Sequence, residues 1–162
     1  MFQEYDKAFA KYRNSLKTIP LPIICWDFHN IKNLELSSFH IIQKNWSEKI
    51  SFLKVVNNDK KDIIVTDKNL KIIFATKSIL IMTGYHPEEI IGKSPKVFQG
   101  ILTSDITKTN IRNAISNKLP FKEVVVNYKK DGSTYLCEIE AIPKFDKKVE
   151  FLNYIAFERL AS

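Results

Sequence analysis

The sequence predicts an α+β domain preceded by a helical N-terminal extension. Three observations carry that reading. The last third of the chain reads as a three-strand meander, 121–129, 133–142 and 150–160, with turn signals at Asp131-Gly132 and Lys147-Lys148. Ahead of it, the stretch from Thr83 to Gly100 holds three of the chain's four glycines and breaks helical runs instead of extending them. In the first 57 residues, apolar side chains recur at steps of three and four, the period of a helix face. The composition suits a folded domain with a real core: 162 residues, 44% hydrophobic and 12% aromatic.

Taken in order, Phe2, Tyr5, Phe9, Tyr12 and Leu16 line one helical face, with Lys7, Lys11 and Arg13 opposite. Leaving such side chains in water forfeits about 1.5–3 kcal/mol each. The seam therefore either docks on its own domain or pairs two subunits as a homodimer, and both remain open here. Ile19-Pro20-Leu21-Pro22 cannot lie inside a helix. It leads into a short strand-like run, Ile23 to Phe28. A second helical face follows, made by Leu36, Phe39, Ile42, Trp46, Ile50 and Leu53, with Asn33 as its cap and Glu35 in the first turn. Asn57 to Lys61 reads as a linker, so the expected division is 1–57 for the extension and 58–162 for the main domain.

Within the main domain, Ile63–Thr66 and Leu70–Phe74 flank the turn Asp67-Lys68-Asn69 as a hairpin. Gly84 closes the run Ile79 to Met82 as a C-terminal cap, and His86-Pro87-Glu88-Glu89 starts a fresh turn that Gly92 ends. Short, broken helices between strands build the wall of a pocket. A longer helix is expected over 105–117, capped by Ser104, with Ile106, Ile111, Ala114 and Ile115 as its apolar positions. On the strand after Gly132, alternation puts Tyr135, Cys137, Ile139 and Ala141 on the inner face and Leu136, Glu138 and Glu140 on the other.

Several function classes find no support. No run of eighteen apolar residues is present, and the first residues lack the layout of a signal peptide, so the expectation is a cytoplasmic protein without membrane contact. Cys25 and Cys137, with His29, His40 and His86, make neither a disulfide framework nor a metal-ligand spacing. The net charge of +7 comes almost wholly from scattered lysines; arginine stands only at positions 13, 112 and 159. That pattern suits a solvated surface better than a nucleic-acid reader. With no nucleophile beside a base, no paired carboxylates in a supporting motif and no phosphate loop, an enzyme is not expected.

The pairing of Thr83-Gly84-Tyr85 with Gly92-Lys93-Ser94-Pro95-Lys96-Val97-Phe98-Gln99-Gly100, followed by Asn127-Tyr128-Lys129-Lys130-Asp131-Gly132, resembles the PAS superfamily. Within it the chain is similar to the flavin-binding light-oxygen-voltage (LOV) branch, from about Asp62 to Leu160. That branch reads Gly-Arg-Asn-Cys-Arg-Phe-Leu-Gln-Gly where this chain has Gly92 to Gly100. The resemblance implies a five-stranded antiparallel sheet in the order 2-1-5-4-3, with helices on one face and a cavity between them. It implies a phosphate end at Lys96, Gln99 and Arg112, where Lys96 replaces an arginine. It implies a ring end at Asn127, Cys137 and Glu158, of which only Asn127 keeps the family residue. Cys137 stands for a second asparagine and Glu158 for a glutamine.

Each residue also has a plainer reading: Asn127 as a backbone-bonding residue near the hairpin, Cys137 as a small core residue, Glu158 as the partner of a lysine at the sheet edge. With one ring contact of three kept, flavin mononucleotide (FMN) is disfavoured and the cofactor stays unassigned. Pro95 replaces the photoactive cysteine, so no thiol stands there to form an adduct.

The function so implied is a stand-alone PAS sensory and interaction domain of the kind bacterial signalling uses. It would lack an effector of its own and signal to a protein partner in trans. The alternatives are a degenerate flavin or small-ligand receptor of the LOV type and, further off, a basic nucleic-acid-binding protein. The receptor reading requires a cavity not filled by Phe74, Ile81 and Phe98.

Overall fold

The computed structural model describes residues 34–161, so the seam from Phe2 to Leu16 and the run Ile23 to Phe28 lie outside the described residues. Five strands, β1 (Asp62–Thr66), β2 (Ile72–Ala75), β3 (Phe121–Tyr128), β4 (Thr134–Phe145) and β5 (Phe151–Leu160), form one antiparallel sheet. Its order is β2-β1-β5-β4-β3, as the resemblance implied. β4 runs three residues further than expected and takes Pro143 into the ladder. β3 ends at Phe121 opposite Ala141, so Pro143 sits where β4 has become an edge and a missing N–H costs no bond on that side.

Between β2 and β3 come α1 (Ile79–Thr83), α2 (Pro87–Ile90), a 3₁₀ turn (Pro95–Phe98) and α3 (Asp105–Ser116). Gly84 caps α1 in the left-handed region, φ 74°, with its N–H on the Leu80 carbonyl. Pro87 opens α2, where the Glu89 carboxylate accepts from the His86 N–H at 2.9 Å. The Ser104 hydroxyl accepts from Thr107 N–H at the start of α3. Gly100 is required for a different reason. A β-carbon there would lie 2.4 Å from the Tyr128 ring, whose hydroxyl is fixed by the Leu102 N–H at 3.0 Å.

Strand alternation divides the core in two. Ile64, Ile72, Ala75, Tyr135 and Cys137 face the helices, packing with Ile79, Met82, Ile90 and Phe98. Ile63, Val65, Phe74, Ile155 and Phe157 face the other way and pack with Phe39, Trp46, Phe52 and Val55. Described residues before β1, from Leu36 to Val56, therefore pack on the outer face of the sheet. Phe39 is their centre, with ring centroids 5.4–5.8 Å from Trp46, Phe52 and Phe74. The Trp46 indole N–H donates to Asn153 Oδ1 at 2.9 Å, and Asn153 donates to the Thr66 carbonyl.

That segment is not the single helical face its apolar spacing predicts. The helix covers 34–42, a 3₁₀ turn Gln43–Asn45 ends it, and a π-helical turn Lys54–Asn58 follows an extended stretch. Tertiary hydrogen bonds win over periodicity: Ser47 N–H reaches the Phe145 carbonyl, and Ile50 N–H reaches the Gln43 side chain. The break shifts the register, so Phe52 is buried and Leu53 half exposed. In α3, Ile106 is exposed where an apolar contact was expected, whereas Ile111 and Ile115 face the sheet side.

Candidate ligand site

A cavity of about 400 Å³ lies between the inner face of the sheet and the helical wall. Its floor is low because small residues meet there: Ala156 on β5 pairs with Ile64 on β1 and with Ala141 on β4. Phe98 does line the space, but Phe74 belongs to the outer cluster and Ile81 is 86% exposed, so neither fills it.

Of the six residues expected from sequence, Lys96, Gln99, Arg112, Asn127 and Glu158 line this one cavity. Cys137 does not reach it. The residue is fully buried in the inner cluster, and its thiol donates to Glu158 Oε2 at 3.7 Å. Pro95 lines the cavity, at the position aligned with the photoactive cysteine. The wall adds a residue the sequence reading passed over, Lys108, one turn before Arg112 on the same face of α3. Their spacing of four was the signal available for it. Lys108 also pairs with the exposed Asp105 at 3.2 Å.

At the other end the chemistry is acidic and buried. Glu158 is only 4% exposed, so it is not the lysine-paired edge residue of its plainer reading. Burial first, and then the charge of Asp62, push its carboxyl up to about 7; the thiol of Cys137 works slightly against that. Asp62 stands opposite Glu158 in the β1–β5 register. Burial raises Asp62 as well, and the hydroxyls of Ser78 and Thr76, both bonded to its Oδ1, pull it back. Burial and the neighbouring Glu158 drive the Cys137 thiol far above its usual range, so it stays protonated and unreactive. Asn127, 2% exposed, faces Tyr135 across β3 and β4. The Tyr135 hydroxyl is buried without a hydrogen bond of good geometry, and burial raises its pKa. Asp62 and Tyr135 belong to this cluster only through strand register, which no local pattern reveals.

Thr66 lines the same cavity, 5% exposed, and its hydroxyl has no hydrogen-bond partner among the described residues. The placement of α3 orders the site along the sheet. Thr103 bonds the Val126 carbonyl, Asn110 bonds Glu123, and the Tyr154 hydroxyl shares its one proton between the carbonyls of Leu119 at 3.1 Å and Ala114 at 3.4 Å. Glu123 shares its level with Ile139 and Glu158. Arg112, between Asn110 and Ala114, is thus displaced from the Glu158 level toward Tyr154 and its register partner Thr66.

A flavin would find cations suited to its phosphate in Lys96, Lys108 and Arg112. The ring end does not fit. Ionised Glu158 offers only acceptors, opposite a ring edge whose single N–H is flanked by two carbonyl acceptors, and Cys137 does not line the cavity.

A family profile described as PAS domain matches residues 61–159. Among curated proteins, the chain is 40% identical over 88 residues to Protein TWIN LOV 1 of Arabidopsis thaliana, covering 54% of this chain and 22% of that protein. It is 31% identical over 110 residues to the blue-light photoreceptor of Listeria monocytogenes, covering 66% and 43%. The chain thus spans less than half the length of these relatives. Among solved structures, the light-state LOV domain of the blue-light photoreceptor Aureochrome1 superposes with a TM-score of 0.62 at 27% identity, covering 69% of this chain and 90% of that one. Its dark-state structure gives 0.64 at 26% identity, covering 72% and 86%. With its sheet order, its cavity and this match over residues 61–159, the chain belongs to the PAS domain family and has a LOV-like fold.

Proposed function

We propose that this PAS sensory domain takes a small molecule as its input and passes the signal to a protein partner in trans. The observation that carries the reading is the cavity of about 400 Å³, within the size range of ligand pockets, with cations on its helical wall and buried polar groups at its far end. In this reading residues 58–162 are the sensory domain and residues 1–57 its extension. The reaction is binding, not catalysis: the buried Cys137 thiol is held protonated, and among the described residues Glu158 has no substrate-activating partner beside it. The output has two routes. One is the seam of Phe2, Tyr5, Phe9, Tyr12 and Leu16, which would pair two subunits. The other is the part of the outer sheet face beyond the aromatic cluster, where Val124 and Leu136 are each 51% exposed.

Native mass spectrometry of the full chain as purified tests the input. The expected result is a retained small molecule that is lost in the Arg112→Ala, Asn127→Ala double variant while the fold persists. A bare mass for the wild type, together with no effect of filling the cavity at Ala156 on any binding probe, overturns the receptor reading. For the output, Phe9→Lys with Tyr12→Lys should give monomers in light scattering; a wild type already monomeric at high concentration removes the homodimer.

A further inference from the structure

We infer that the cavity selects an anionic ligand whose ring edge donates hydrogen bonds through adjacent N–H and NH₂ groups, as in guanine or a pterin, with Glu158 as the acceptor. The inference rests on the receptor reading above and goes beyond it by naming the ligand class.

Glu158 is the reason. Its carboxyl is buried, lines the cavity, and forms no ion pair among the described residues, whereas other acids such as Glu138 and Glu140 do. A carboxylate has about four lone-pair positions, and here one weak thiol donor at 3.7 Å serves one of them. Asp62, its register neighbour, adds negative potential from behind. An unpaired buried carboxylate is costly, so it either takes a proton or is met by donors. Two adjacent N–H groups on a flat ring match its two oxygens as a guanidinium fork does. A flavin edge offers one N–H between two carbonyls, so it serves one carboxylate oxygen at most and sets acceptor against acceptor beside it.

A second, independent observation marks the other end of the cavity. The Thr66 hydroxyl is buried in the same cavity without a partner. It lies four residues along β1 from the Glu158 level, roughly 13 Å away at strand spacing. Arg112 is displaced toward that end. The arrangement suits an elongated molecule with its donor edge at Glu158 and its phosphate or carboxylate toward Arg112 and Lys108.

The test is titration calorimetry on the full chain with guanosine 5′-monophosphate, FMN and inorganic phosphate as probes. The wild type should bind the guanosine nucleotide at least about tenfold more tightly than FMN, because unpaired polar groups penalise the wrong edge. Glu158→Gln should weaken the guanosine nucleotide by at least about tenfold while improving FMN, since an amide supplies the missing donor. Arg112→Ala should weaken both nucleotides. Circular dichroism of each variant establishes that it is folded, and Thr66→Val, shape-conserving and at the other end, gives a second readout with a smaller loss. FMN binding as tightly as the guanosine nucleotide, or Glu158→Gln leaving the latter unchanged, overturns the inference and leaves the receptor reading standing. If the folded wild type binds neither nucleotide, the inference also fails. The receptor reading falls with it only if the native mass is bare too.

Discussion

Replacing Glu158 by glutamine should make the ligand-free protein more stable, and the gain should depend on pH in a defined direction. In the folded chain the carboxyl is pushed to about 7, whereas its ordinary value is 4.5. Between those values the folded state holds a proton that the unfolded state has released. Through this group the wild type therefore loses stability as the pH rises from 4.5 to 7 and loses no more above it. The full difference is worth roughly 3 kcal/mol. Glutamine is nearly the same shape and does not titrate, so the variant-minus-wild-type difference isolates this one group from every other acid. Urea denaturation of both proteins from about pH 4.5 to about pH 8.5 at constant ionic strength should show the variant gaining about 2–3 kcal/mol across that range. In thermal melts the same gain is about 5–10 °C for a chain of this size. Part of it passes through Asp62, so Asp62→Asn should reduce the gain, and the double variant measures that coupling. A difference that stays flat within about 0.5 kcal/mol, or that favours the wild type at high pH, would refute a buried, unpaired acid at this position.

Further outcomes follow from other parts of the molecule. A truncation starting at Asn58 removes Phe39, Trp46, Phe52 and Val55 from the outer cluster, at about 1.5–3 kcal/mol each. That approaches the whole stability of a typical domain, so the product should aggregate or melt far lower; a monodisperse, equally stable product would contradict it. Ala156→Leu should fill the cavity floor and abolish ligand retention in native mass spectrometry while circular dichroism stays unchanged. Gly100→Ala forces the fixed Tyr128 ring aside and should cost about 1–3 kcal/mol in urea denaturation. Illumination of the protein mixed with FMN should give no reversible bleach of the flavin band, because proline and not cysteine stands at position 95.

The sheet and the helical wall were legible because their signals are local. Gly84, Pro87 and Ser104 each mark a helix end by backbone chemistry alone, and alternation along β4 put Cys137 inward correctly. The cavity positions Lys96, Gln99, Arg112, Asn127 and Glu158 came from resemblance, and the structure gathers them around one space. Asp62 behind Glu158 and the free hydroxyl of Thr66 were out of reach, since both depend on which residues β1 and β5 bring opposite each other. The extension was misread where a long-range bond to Phe145 and a bond from the Ile50 N–H to the Gln43 side chain broke a periodic helix pattern at Trp46.

On β5, neighbours in sequence belong to separate compartments: Ile155 and Phe157 join the aromatic cluster, while Ala156 and Glu158 face the cavity. A single-residue deletion before Ile155 would therefore exchange the two sets, sending an acid into the aromatics and a phenyl ring into the binding space. The strand can drift by substitution but not by changes in length. Insertions and deletions surviving among descendants of this chain should fall in the exposed turn around Asp146 to Val149, where a change of loop length leaves the strand's phase intact.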